Sequence, residues 1–457
     1  MSTFKLLGSL AVLVIFAGCT IYSRKPLSEA PSLSRDLSHI LIDANNRPLP
    51  ELASHRFDPK DGLDMTEIAM LAVANNPDLK LARDESGIAH AQAFAAGLLP
   101  DPQLNYAVDF PTDNIPGSNY TAFTYGLSYD VLSLVTRSAV TRGAAADSRK
   151  VDLNLLWQEW QVVAQARLFF IRTLEQDRLM KILEENRNLI AKRYDHALKA
   201  LYAGDLTLDA VSVDLAALQD ANRQISELAR KISQNHSDLN QLLGIAPDVN
   251  VRLVGDSSFP TLDDLKIKAL LPELVQRRPD LLALKAGYDS QEQKYRKAVL
   301  EQFPALNIGL TSARDTSNVN TIGFGITMNL PIFNRNRGNV AIEQATRKRL
   351  FDEFEMRLNR AYSEIIHLLA DQHLTEKQLA EARQGMSLLT ETAANAEAAF
   401  TAGNIDETSY LNLRLALANK RIEELGLEQL LLEQRIALQT LIGGELPVKY
   451  KSGEKQP

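Results

Sequence analysis

The chain has almost no cysteine: Cys19 is the only one among 457 residues. A disulfide within the chain and a cysteine-based zinc cluster are therefore excluded. Basic runs are missing too. Fifty Lys and Arg against 57 Asp and Glu leave a net charge of −7, which speaks against nucleic acid as a partner. Proline and glycine are sparse, 18 and 22, and mark a few boundaries. Between those boundaries Ala, Leu, Glu, Gln, Arg and Lys dominate, residues that favour helix. Catalytic signatures are also absent. Gly323-Phe324-Gly325 opens like a dinucleotide loop, but Met328 stands where the third glycine belongs. There is no H-E-x-x-H pattern, and the seven histidines are dispersed. His367 and His373, six apart, do not share a helix face as an i, i+4 pair does. Neither an enzyme, a cofactor nor a metal centre is expected. Hydrophobic content of 45% and charged content of 23% describe a folded chain rather than a disordered one.

What is present begins at the N-terminus. Lys5 precedes an apolar run, Leu6 to Phe16, and a small-residue exit, Ala17-Gly18. That is the outline of a secretory signal, and the run is short for a transmembrane helix. Phe16-Ala17-Gly18-Cys19 resembles a bacterial lipoprotein signal. The resemblance implies that residues 1–18 are removed and that Cys19 carries lipid, palmitate included. Residues 19–62 then read as a lipid-anchored linker. Thr20, in place of Asp, implies the outer membrane. An ordinary signal with an incidental cysteine is the alternative.

The chain also repeats itself. Asn76-Pro77-Asp78-Leu79 recurs as Arg278-Pro279-Asp280-Leu281, and Pro102-Gln103-Leu104-Asn105 as Pro304-Ala305-Leu306-Asn307, both 202 positions on. Tyr125-Gly126-Leu127-Ser128 matches Phe324-Gly325-Ile326-Thr327 at 199, and Arg149-Lys150 matches Arg347-Lys348 at 198. Ala203-Gly204-Asp205-Leu206 matches Ala402-Gly403-Asn404-Ile405, and Leu242-Leu243-Gly244 matches Leu441-Ile442-Gly443, both at 199. Two copies of one unit are expected, 63–244 and 262–443, with an inter-repeat linker at 245–261 and a tail at 444–457.

Each unit reads as the same series. A helix opens on proline, Pro77 to Leu99 and Pro279 to Phe303. Two strands follow, about Gln103 to Phe110 and Tyr120 to Val131, then about Ala305 to Ala313 and Asn320 to Leu330. A long helix comes next, Arg142 to Ala203 and Val340 to Ala402, roughly 90–95 Å at 1.5 Å per residue. Gly204 and Gly403 end these as left-handed caps. Return helices, Leu206 to Leu243 and Ile405 to Ile442, are shorter by roughly 35 Å, about the length of one proline-started helix. The short and return helices can therefore stack end to end against the long one. Helices of this length need partners of similar length, as in a coiled coil.

The strands alternate strictly. Phe123, Tyr125, Leu127, Tyr129 and Val131 share one face, as do Ile322, Phe324, Ile326, Met328 and Leu330. Their opposite faces hold Ala, Thr, Gly, Ser, Asn and Asp130. Apolar-out, polar-in strands of about 9–11 residues suit a transmembrane barrel; the same alternation also suits a half-buried soluble sheet, and the secretory signal, the doubled arrangement and the oversized helices favour the barrel. Four strands cannot close a barrel and open edges are intolerable in lipid, so several copies must contribute.

The doubled strand–strand–long-helix unit, the Ala203-Gly204 and Ala402-Gly403 tips and the Leu330-Pro331-Ile332-Phe333-Asn334 stretch resemble the TolC-like outer-membrane efflux protein family. The fold class expected is mainly α with a β-barrel contribution. The resemblance implies a homotrimer sharing one twelve-stranded barrel in outer-membrane lipid, atop a periplasmic helical tube. A periplasmic adaptor and an inner-membrane pump would dock at the tips, and the protein would be a passive exit duct. It also implies a gate near the tips, with Gly204, Asp205, Asp209, Gly403, Asn404, Asp406 and Glu407 as candidates. Asn412 stands nine after the second tip glycine, where the family often has an acid. Acids in a first helical turn also simply complement the helix dipole. Leu330 to Gly338 resembles components of heavy-metal efflux systems more than drug systems. A lipid-anchored periplasmic coiled-coil scaffold without a pore and a type I protein-secretion duct are the alternatives.

Overall fold

The structure is a computed structural model describing residues 22–35, 52, 55, 57–112, 120–255, 262–444 and 446–447. The expected signal segment, Cys19 and the end of the tail lie outside the described residues.

The elements run twice in one order. Helices α1 (Met65–Asn75) and α2 (Pro77–Gly97) precede strands β1 (Gln103–Asp109) and β2 (Ala122–Asp130). Helices α3 (Val131–Ala203) and α4 (Leu208–Leu242) complete the first pass. The second pass opens on short helices α5 (Asp264–Ala269) and α6 (Leu274–Arg277), then α7 (Pro279–Leu300). Strands β3 (Leu306–Arg314) and β4 (Asn320–Met328) lead into α8 (Arg337–Thr401) and α9 (Glu407–Ile442).

Local chemistry explains these bounds. Asp64 caps α1 in a reciprocal capping box with Glu67. Asn76 ends α1 and caps α2 by accepting from the Leu79 amide at 2.9 Å, with Pro77 at the first helical position. The 73-residue α3 spans about 110 Å and the 65-residue α8 about 98 Å. The first long helix thus starts at Val131, well before the expected Arg142. Asp130 closes β2 and caps α3 at once, its carboxylate accepting from the Leu132 amide at 2.9 Å. Val131 belongs to that helix and Leu330 lies beyond β4, so neither extends a strand face. Leu98, Leu99, Glu301, Gln302 and Phe303, expected in the short helices, lie beyond their ends.

The short and return helices meet head to tail, as the lengths require. The last carbonyls of α4 and α9 have no helical partner. Asn75 Nδ2 donates to the Leu243 carbonyl at 2.6 Å and Asn76 Nδ2 to Leu242 at 2.8 Å. In the second pass Arg278 Nη1 donates to the Leu441 carbonyl at 3.2 Å. Gly443, at φ 83°, is packed so closely that a Cβ would lie 2.7 Å from the Arg277 carbonyl oxygen.

The core gathers at these junctions. One cluster joins Leu71, Leu79, Phe170, Ile171, Leu239 and Ile245, and a second joins Ile267, Leu281, Ile365, Leu438 and Ile442. The return helices contribute Leu228, Leu239, Leu242, Leu425, Leu432, Ile436 and Leu438 as buried residues. Segments read as linkers take part as well. Leu52, Ile245 and Val251 are buried, and Leu63 pairs with the segment around Leu253.

Contacts fix how the two passes superpose. Arg137 donates to the Gly97 carbonyl at 2.7 Å, and Asn336 to the Ala298 carbonyl at 2.8 Å. Ser148 meets His90 at 3.1 Å and Arg347 meets Glu292 at 3.4 Å. In both cases the long-helix residues are 199 apart. The Arg149-Lys150 and Arg347-Lys348 match at 198 is therefore one residue out of register: it is a coincidence of composition in a charged helix.

Candidate channel wall and helical tips

The four strands form one antiparallel sheet in the order β1-β2-β3-β4. All four join their helices at the same end, since Gln103 pairs with Ser128, Asn307 with Asp130 and Leu306 with Met328. Residues directly opposite in a ladder share a face. The register therefore merges the separate alternations into one surface. Tyr125 opposes Tyr106, Leu127 opposes both Leu104 and Leu310, and Tyr129 opposes Ile308. Phe324 opposes Leu310, Ile326 opposes Ile308, Met328 opposes Leu306 and Ile322 opposes Ser312. Phe123 opposes Val108 and Arg314.

Eight of the ten strand residues singled out from sequence lie on this apolar face; Val131 and Leu330 lie beyond the strands. Leu104, Tyr106, Val108, Leu306, Ile308 and Leu310 extend it. The period-2 alternation of β1 and β3 carried that signal. Ile322 is 88% and Phe324 66% exposed in the single chain. Tyr106, Tyr125 and Phe123 form a ring ladder with centroids 5.1 and 5.4 Å apart. Arg314 closes the face at its hairpin end, over the Phe123 ring at 4.5 Å and donating to the Thr121 carbonyl. The other face is small and polar: Asn105, Thr124, Gly126, Ser128, Asn307, Gly309, Thr311, Gly323, Gly325 and Thr327. The outer edges of β1 and β4 have no ladder partner among the described residues. No described helix is long and apolar enough to cross a membrane.

At the far ends of the long helices, Gly204 (φ 84°) and Gly403 (φ 74°) adopt the left-handed conformation. The next amides, of Asp205 and Asn404, donate back to the Ala200 and Ala399 carbonyls, each at 2.8 Å. These are Schellman closures. Asp205 is exposed in the turn and Asp209 lies in the first turn of α4. Asp406 caps α9, accepting from the Ser409 amide at 2.8 Å and hydroxyl at 2.7 Å. The Ser409 hydroxyl bond, then its amide, holds the Asp406 carboxyl below the usual range. Glu407 pairs with His196 Nδ1 at 3.2 Å, linking α9 to α3.

Arg193 makes a second link. It pairs with Asp214 of α4 at 2.7 Å and donates to Asn412 of α9 at 3.1 Å. Asn412 thus serves as a neutral acceptor in a bridge between the two hairpins. Phe400 and Tyr410 stack at 5.1 Å beside the second tip. Arg193 and His196 were not singled out from sequence. They lie in a uniform helix, and their partners are far away along the chain.

Among the described residues, one cluster of metal-binding groups occurs, His55, Asp64 and Glu67, with ligand atoms within 4.8 Å. Its carboxylates already serve the α1 capping box: Glu67 accepts from the Asp58 and Asp64 amides, and Asp64 from the Thr66 and Glu67 amides.

The sequence profile of the family described as "Outer membrane efflux protein" matches residues 270–444. The chain is similar to the cobalt-zinc-cadmium resistance protein CzcC of Cupriavidus metallidurans, 24% identical over 78% of this chain and 84% of that one. It is similar to the multidrug resistance outer membrane protein MdtQ of Escherichia coli O6:H1, 23% identical over 83% and 85%. The solved structure of CusC, described with its transmembrane channel formation, superposes with a TM-score of 0.66 at 19% identity, covering 92% of this chain and all of that one.

Proposed function

We propose that the chain is an outer-membrane efflux channel of the TolC-like family, and that three copies share one barrel and one helical tube and form the passive exit duct of a tripartite pump. The observation that carries this reading is the sheet. It has one continuous apolar face, one small polar face, two edges without a ladder partner among the described residues, and helices of about 98–110 Å leaving one end only. Free edges are not tolerated in hydrocarbon. Joining β4 of one copy to β1 of the next removes them, and three copies of four strands make a barrel within the known range. The apolar face meets lipid, and the glycines and threonines line water.

In this reading the tips of α3–α4 and α8–α9 receive the periplasmic adaptor, with the inner-membrane pump beyond. Asp406 and Glu407 contribute to the gate. Lipid on Cys19 anchors the N-terminus in the outer membrane. The cargo reading favoured here is metal cations, from the Leu330–Gly338 stretch and the likeness to CzcC. The likeness to MdtQ supports a drug cargo instead. Deleting the gene and measuring tolerance to cobalt, zinc and cadmium and to hydrophobic drugs separates the two. Purified protein in planar bilayers is expected to give single-channel conductance and to run as a heat-modifiable trimer. A protein that inserts no pore and runs as a heat-insensitive rod would be a scaffold.

A further inference from the structure

The seam between α8 and α9 changes character at Gln372. On the side toward the sheet, Ile365 and Leu369 of α8 pack against Leu438 and Ile442 of α9. One turn further along α8, the same face carries Gln372, only 3% exposed. Neither end of its amide has a hydrogen-bond partner among the described residues. Across the seam Gln434 is 8% exposed. Its Nε2 donates to Thr375 Oγ1 at 3.1 Å, and its Oε1 has no partner among the described residues. Thr375 in turn donates to the Asp371 carbonyl at 3.0 Å. Gln434 meets Thr375 and Arg435 meets Glu376 at 3.5 Å, which fixes the register. Gln372 therefore lies one turn from the Gln434–Thr375 bond, between that bond and Leu438. Exchanging O and N in either amide changes nothing: Gln372 has both ends unpaired, and one end of Gln434 is always left over.

We propose that the α8–α9 seam binds ordered water at this layer, held by the Gln372 and Gln434 amides. A buried amide left unpaired is strongly destabilising, and ordered water is the usual partner of such groups. The unpaired set selects water over an ion. It contains one amide donor group and two carbonyl acceptors, and water both donates and accepts. An anion would leave the two carbonyls unsatisfied. A cation would stand beside Arg435, the next residue on α9, which is itself buried in the seam.

The first hairpin shows the same layer closed. The residues 199 earlier are Thr173 on α3 and Asn235 on α4. Asn235 Nδ2 donates to Thr173 Oγ1 at 2.7 Å, and Thr173 donates to the Phe169 carbonyl at 2.8 Å. Gln176, the counterpart of Thr375, leaves only its carbonyl unpaired. The flanking apolar layers match, Phe170 with Leu369 and Leu239 with Leu438, all buried. The difference lies in the layer itself: a short pair that meets directly is replaced by two glutamines that do not meet. An amide held by water changes partners without leaving a polar atom bare. The α8–α9 seam should therefore open locally at this layer more readily than α3–α4 does at its own. All these groups are buried within one chain, so the inference stands apart from how copies join.

Hydrogen–deuterium exchange of the purified full chain, read by mass spectrometry, compares the two layers. After correction for intrinsic rates, peptides spanning 369–376 and 431–438 are expected to exchange about two- to tenfold faster than those spanning 170–177 and 232–239. Gln372→Leu combined with Gln434→Leu removes the unpaired atoms together and should bring that exchange down to the level of the first hairpin. A high-resolution crystal structure of the native chain is expected to place a water at about 3 Å from both glutamine side chains. It decides the matter even where the double variant fails to fold. A direct Gln372–Gln434 hydrogen bond with no water between them overturns the proposal. So does exchange that is equal at the two layers, or that a folded double variant leaves unchanged.

Discussion

Gly204 and Gly403 are the residues on which the hairpin tips turn. A Cβ at either would meet nothing within 4 Å, so the requirement is conformational alone. Gly204→Ala or Gly403→Ala is expected to cost about 1–2 kcal/mol through the left-handed backbone, read as a lower denaturation midpoint at constant slope. Asp406 adds a pH dependence. Its carboxyl is held below the usual range in the folded tip, so its stabilising cap is present above the ordinary Asp pKa. That contribution is lost as pH falls through the lowered folded value. Amide exchange at Glu407 to Tyr410, corrected for intrinsic rate, should therefore rise on acidification in the native chain and not in Asp406→Asn.

The gate proposal is also tested residue by residue. Asp406→Asn with Glu407→Gln removes one cap and the His196 link, and should raise the conductance of the resting channel. Unchanged conductance, closure and pump coupling would remove both from the gate. The glycines and acids of the tips were legible because a left-handed cap and a first-turn acid leave local sequence signatures. Arg193 and His196 were not, because what makes them matter is a partner on another helix about 20 to 220 residues away.

At the scale of elements, the strand faces were legible because their period of two is exact along each strand, and hydrogen-bonded register then adds the faces together. The charge test follows. Phe324→Arg or Ile326→Arg on the apolar face should cost about 2–4 kcal/mol at mid-bilayer and deplete inserted trimer in a membrane-fraction assay. Thr327→Arg, on the opposite face, should leave insertion near the native level and alter conductance. Equal effects on the two faces would contradict the placement. The start of α3 was not legible. Val131, Val135, Thr136, Val140 and Thr141 are weak helix formers, and the residue that ends the strand, Asp130, is also the one that caps the helix. The second pass differs because Pro331 ends the ladder and an elbow intervenes. Arg335 and Asn336 there hold positive φ of 49° and 51° before α8 begins.

For the whole molecule, the twofold repeat was legible in short matched strings, and the length deficit of the return helices foretold their stacking on the short ones. The finer superposition came only from contacts, since a charged helix matches itself nearly as well one residue out of step. The proposed joining of copies follows from what one chain leaves open among the described residues, the outer edges of β1 and β4. A reconstruction of the purified particle in lipid nanodiscs by electron microscopy tests this most directly. The account predicts three copies around a hollow tube, with β4 of each hydrogen-bonded to β1 of the next and the apolar face turned to lipid. A solid helical bundle without a lumen, or particles whose four-stranded sheets keep free edges, would contradict it.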